Sequence, residues 1–156
     1  MKWIAPNKTK IELDQFTQRS ILSLPGWNTI MGLQFENLVL HNRKSIQKIL
    51  QLFPETIVFD NPYFQHENKT QEGCQINYMI QTSHHFLYVC EIKFLDKPIG
   101  TEILSSMKEK MKRLKLPKHF SLYPVLIHAS GVQKEVIESG FFAKIIDFGS
   151  LLSEDA

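Results

Sequence analysis

The sequence has no apolar run near the roughly 18 residues that a membrane-spanning helix needs, and its opening, Met1-Lys2-Trp3, lacks a secretory-type hydrophobic region. These absences predict a chain that works in the cytoplasm, with no membrane as partner. Cysteine is scarce: Cys74 and Cys90 have no metal-type spacing and stand in apolar, strand-like contexts, so reduced core thiols are expected rather than a disulfide. His84 and His85 read as turn residues, and His41, His66, His119 and His128 show no paired ligand spacing, which argues against zinc. There is no phosphate-binding glycine loop, no internal repeat and no low-complexity tract. The net charge of +2 is almost balanced and says little by itself. With 43% hydrophobic and 22% charged residues, the 156-residue chain fits one globular domain with a single core.

What is present centres on Tyr88-Val89-Cys90-Glu91-Ile92-Lys93-Phe94. Period-two alternation puts Val89, Glu91 and Lys93 on one face of a strand and Cys90, Ile92 and Phe94 on the other. Burying a carboxylate or an ammonium costs several kcal/mol unless it is paired or used, so the charges at Glu91 and Lys93 require an explanation. An internal ion pair or an edge strand is one; a chemical site is the other.

Around that strand the elements follow from periodicity. Residues 1–30 read as an arm with a short helix over 13–24, or as the tail of an element belonging to something longer; 31–150 form the domain and 151–156 a tail. Phe35, Leu38, Val39, Ile46, Ile49, Leu50 and Phe53 recur at helical spacing, predicting one long helix over 32–53 closed by Pro54. Glu36 lies in its first turns, beside the buried stripe. Thr56-Ile57-Val58-Phe59 reads as a strand broken at Asp60-Asn61-Pro62, followed by a loop over 66–72. Residues 73–82 alternate, with Cys74, Ile76, Tyr78 and Ile80 on one face and Gln75, Asn77, Met79 and Gln81 on the other. A three-residue turn, Ser83-His84-His85, places Asn77 opposite Glu91; an even-numbered loop would turn Asn77 to the Cys90 side. Thr101 reads as the N-cap of a helix with the stripe Ile103, Met107, Met111 and Leu114. Basic residues surround that stripe: seven stand between Lys97 and Lys118, against two acidic ones. A strand over 120–128, a helix over 132–139 ended by Gly140 and a strand over 141–148 complete the order. The fold class expected is α/β, a sandwich around a mixed sheet.

Glu36, Asn77, Glu91 and Lys93 are thereby gathered. Acidic oxygens converging on a hard cation, with an ammonium to orient water or steady developing charge, suit phosphodiester hydrolysis. At this point the sequence resembles the PD-(D/E)XK, or restriction-endonuclease-like, nuclease superfamily over about 32–148. Glu91-Ile92-Lys93 looks like its E-x-K motif, and Glu36 in Gly32-Leu33-Gln34-Phe35-Glu36 like its first-helix glutamate. More narrowly, these stretches and Gly73-Cys74-Gln75-Ile76-Asn77 look like the nuclease-like C-terminal domain of archaeal-type P-loop ATPases. Lys2-Trp3-Ile4-Ala5-Pro6-Asn7-Lys8 and Pro25-Gly26-Trp27 look like the segment preceding it. The resemblance implies magnesium or manganese held by Glu91 and the backbone carbonyl of Ile92, with Glu36 acting through water and Lys93 orienting the attacking water. It implies a P-loop ATPase as partner or parent chain. It calls for an aspartate at Asn77, and an amide brings no negative charge, so Asn77 is expected to be a weak ligand.

Three functions are therefore open. One is a nuclease-like DNA-binding or regulatory module with a degenerate site, meeting phosphates through Lys108, Lys112, Arg113 and Lys115. The second is an active metal-dependent DNA nuclease, and the third a protein-interaction domain in which Glu91 and Lys93 merely pair.

Overall fold

A computed structural model describes residues 26–154, so the expected helix over 13–24 and most of the arm lie outside the described residues. Helix α1 spans Trp27–His41 and α2 Arg43–Ile49. Strands β1 (Ile57–Gln65), β2 (Cys74–Thr82) and β3 (Phe86–Lys93) form an antiparallel meander. Helix α3 (Glu102–Arg113) then leads to β4 (Ser121–His128), α4 (Lys134–Glu138), β5 (Lys144–Asp147) and α5 (Phe148–Glu154). The sheet order is β1-β2-β3-β4-β5, with β4 parallel to β3 and β5 parallel to β4. This is the mixed α/β sandwich expected from the sequence. No helix among the described residues is long and apolar enough to cross a membrane.

The strongest apolar periodicity builds two cores, one on each face of the sheet. On one face α1, α2 and α5 contribute Phe35, Val39, Ile46 and Phe148, packed on Tyr78, Ile80, Cys90, Ile92, Val125 and Ile127. On the other, Ile103 and Met107 of α3 and Val136 of α4 cover Ile76, Met79, Leu87, Val89 and Leu126. The alternation of β3 is as expected, with Val89 toward α3 and Cys90 and Ile92 toward α1.

Four local expectations need correction. The predicted helix over 32–53 is two helices: the Asn42 side chain donates to the Leu38 carbonyl, offering the backbone an alternative to continued helix. Leu38 and Phe53, 39% and 68% exposed, do not join the core, contrary to what the sequence pattern suggests. Strand β1 does not break at Pro62 but runs through it, because β1 is an edge strand and Pro62 sits at a register irregularity. Strand β2 does not keep one alternation: Asn61 pairs with Met79 and Tyr63 with Ile76, so Asn77 and Tyr78 together oppose Pro62. This bulge reverses the alternation, leaving Cys74, Ile76 and Met79 on the α3 face and Tyr78 and Ile80 on the α1 face. Finally, Thr101 occupies the N-cap position of α3 without a side-chain capping bond.

The turn between β2 and β3 has three residues, with His85 in the left-handed region (φ 66°). Pairing runs from Gln81 with Leu87 to Tyr78 with Cys90. Continued by one residue, that register sets Asn77 against Glu91, but the ladder stops first.

Candidate functional site

Where the β2–β3 ladder ends, the bulge swings Asn77 between two neighbours. Its Oδ1 accepts a hydrogen bond from the Ile92 N–H at 3.0 Å, and its Nδ2 donates to Glu36 Oε1 on α1 at 3.4 Å. N–H and C=O of one residue leave an extended strand on the same side, so the Ile92 carbonyl is directed to this opening too. The Ile92 side chain is buried in the α1 face.

Glu91 is 4% exposed and sits on the opposite face, toward α3. Its Oε2 is 2.8 Å from Lys110 Nζ, and its Oε1 is 3.9 Å from Lys93 Nζ. The buried carboxylate is thus held between two ammonium groups, the closer one a charge-assisted hydrogen bond. The turn of α3 that carries Lys110 is tied to β2, since Cys74 Sγ donates to the Lys110 carbonyl at 3.4 Å. Burial pushes the Cys74 thiol above its ordinary pKa, with Lys110 and Arg113 pulling it back.

Glu36, Asn77, Glu91, Ile92 and Lys93 all line one cleft of about 780 Å³, together with Lys110, Arg113, Phe64, His66, Glu67 and Cys74. The residues gathered from sequence are therefore brought together in space. The predicted phosphate-binding residues divide. Lys112, Arg113 and Lys115 line a second groove, formed with Glu109 and the 67–72 loop. Arg113 Nε is 3.0 Å from Glu72 Oε2 and 3.1 Å from Glu109 Oε1, so its charge is already met by two carboxylates. Lys108 lies elsewhere, its ammonium 5.5 Å from the centre of the Phe141 ring.

Lys110 is the residue that sequence reasoning passed over. Ile103, Met107, Lys110 and Leu114 follow one another at intervals of four, three and four, so Lys110 falls on the apolar stripe of α3, and this was the available signal. His128, next to Lys93 across the parallel β3–β4 pair, is a satisfied core histidine: its Nδ1 accepts the Gly131 N–H at 3.1 Å. Burial lowers its pKa, and Asp147 raises it by less.

The donor set does not fit a divalent cation as it stands. Among the described residues no group of three or more His, Cys, Asp or Glu side chains is placed to hold a metal. The Asn77 oxygen is engaged by Ile92, and the carboxylate oxygens of Glu91 face Lys110 and Lys93.

The element order and sheet define the class as an α/β sandwich around an open, mixed five-stranded sheet. No protein-family model matches the sequence, and no curated protein matches it. Among solved structures the chain is similar to a repair endonuclease from Pyrococcus abyssi, 16% identical with a TM-score of 0.43, over 70% of this chain and 43% of that one. The chain thus spans less than half the length of that protein.

Proposed function

We propose that this chain is a nuclease-like DNA-binding or regulatory module whose metal site is degenerate. The observation that carries this reading is the state of Glu91: the E-x-K carboxylate is buried and already neutralised by Lys110 at 2.8 Å. An amide at Asn77 adds no charge to compensate. DNA would be met outside the cleft, through the exposed lysines Lys112 and Lys115 along the second groove and Lys108 beside Phe141. Each phosphate neutralised lowers log K by about 0.9 per unit of log salt, so three lysines give a slope of about −2.7. The resemblance to the ATPase-associated domain supports a P-loop ATPase as partner or parent chain. A reducing cytoplasm suits the free, buried Cys74 and Cys90.

Fluorescence anisotropy on a duplex between 50 and 200 mM salt, run beside plasmid nicking with magnesium or manganese, tests this. Salt-sensitive binding without nicking is the expected result. Nicking that disappears in Lys93→Ala makes the chain an active nuclease instead, as the shared cleft of Glu36, Glu91 and Lys93 would allow. Neither binding nor nicking leaves the protein-interaction reading.

A further inference from the structure

We propose that Lys110 is a tethered cation standing where a divalent ion would have to bind, and that it, more than Asn77, keeps such ions off Glu91. The proposal rests on reading the cleft as a nuclease-like site. Its evidence is separate from the E-x-K pattern, because Lys110 comes from α3, across the layer boundary from the strands that carry Asn77 and Glu91.

The geometry is specific. Lys110 Nζ lies 2.8 Å from Glu91 Oε2, so an ammonium already stands beside that oxygen, and a divalent ion approaching it is met by a like charge at close range. Lys93, at 3.9 Å from Oε1 and with 42% of its side chain exposed, is the looser partner and can swing aside. Lys110 is more confined: its side chain is 28% exposed, and its helical turn is fastened to β2 through Cys74. Burying Glu91 requires a positive partner in any state of the protein. Lys110 supplies that charge permanently, with no dependence on metal supply. A divalent ion would then have to bind against this ammonium or push it aside, and either way a like charge stays within a few ångströms. The Asn77 oxygen, by contrast, is neutral and makes one hydrogen bond, so it opposes the ion less than Lys110 does.

The test is manganese binding by calorimetry on the full chain, comparing the parent with Lys110→Gln, Lys110→Arg and Asn77→Asp. Lys110→Gln, which keeps a donor for Glu91 but removes the charge, is expected to bind manganese about tenfold or more tightly than the parent. Lys110→Arg should behave as the parent. Two results overturn the proposal: parent-like affinity in a folded Lys110→Gln, or an equal gain in Lys110→Arg. If Lys110→Gln unfolds in EDTA, its melting with and without manganese decides, since an ion that binds only the folded state raises the transition. Rescue by manganese supports the proposal and no rescue refutes it. Failure of the degenerate-module reading is distinguishable, because it appears in the parent as nicking or as absence of DNA binding, whatever Lys110→Gln does.

Discussion

Asn77→Asp introduces the residue type that the nuclease resemblance calls for, and the structure predicts that it will destabilise the protein. The substitution sets a carboxylate oxygen where Nδ2 now donates to Glu36 Oε1 at 3.4 Å. Two unit charges at that distance repel by about 5 kcal/mol at an effective dielectric of 20 and by about 1 kcal/mol in bulk water. The cleft is open and Glu36 is only half-buried, which favours the screened end. The Ile92 N–H bond to Oδ1, now to a charged acceptor, strengthens and offsets part of the loss. A net cost of about 1–3 kcal/mol remains, equivalent to a fall in melting temperature of roughly 3–10 °C for a domain of this size. The assay is thermal melting in EDTA at pH 7. With Lys110 in place, manganese should not restore the lost stability. A variant that melts with the parent at pH 7 would refute the placement of Asn77 against Glu36.

Two further outcomes follow from the cores. Burial pushes the Tyr78 hydroxyl up to about 12 against the pull of its Gln47 hydrogen bond, so its folded-state pKa exceeds the unfolded value near 10. Its contribution is therefore full below about pH 10 and lost as pH rises toward 12; denaturant unfolding across that window should show the decline, reduced in Tyr78→Phe. Phe35, 6% exposed and with its ring 5.7 Å from Phe94 and 5.9 Å from Phe148, fixes α1 to the sheet. Phe35→Ala should cost about 3–5 kcal/mol in urea unfolding, and a loss under 1 kcal/mol would contradict that role.

Much of the fold was legible because its signals were periodic. Val89, Cys90 and Ile92 alternate cleanly, and the turn Ser83-His84-His85 has the expected three residues, although the ladder ends at Tyr78 and Cys90, before Asn77 could pair with Glu91. Illegible features came from places where side chains override a period. Asn42 interrupts a helix whose apolar pattern continues past it, and the bulge at Asn77 and Tyr78 reverses an alternation that looks unbroken in the letters. Glu36, Asn77, Glu91 and Lys93, picked out by residue type and spacing, line one cleft. Lys110 was hidden among the lysines of α3, because a basic residue on an apolar stripe looks like its solvated neighbours until the partner across the layer is known. Its approach to Glu91 depends on the tertiary docking of α3, which spacing within the helix does not encode.

The bulge in β2 also supplies a spectroscopic handle. The amide of Ile92 is closed by a side chain, Asn77, one residue beyond the last rung of the β2–β3 ladder. Its hydrogen-exchange rate therefore reads how often the Asn77 side chain lets go, while the amides of the ladder report the opening of the sheet. A ligand that entered the cleft and rearranged Asn77 would change the exchange of that amide without disturbing theirs, so occupancy of the site can be followed at one backbone position, without waiting for a reaction to be found.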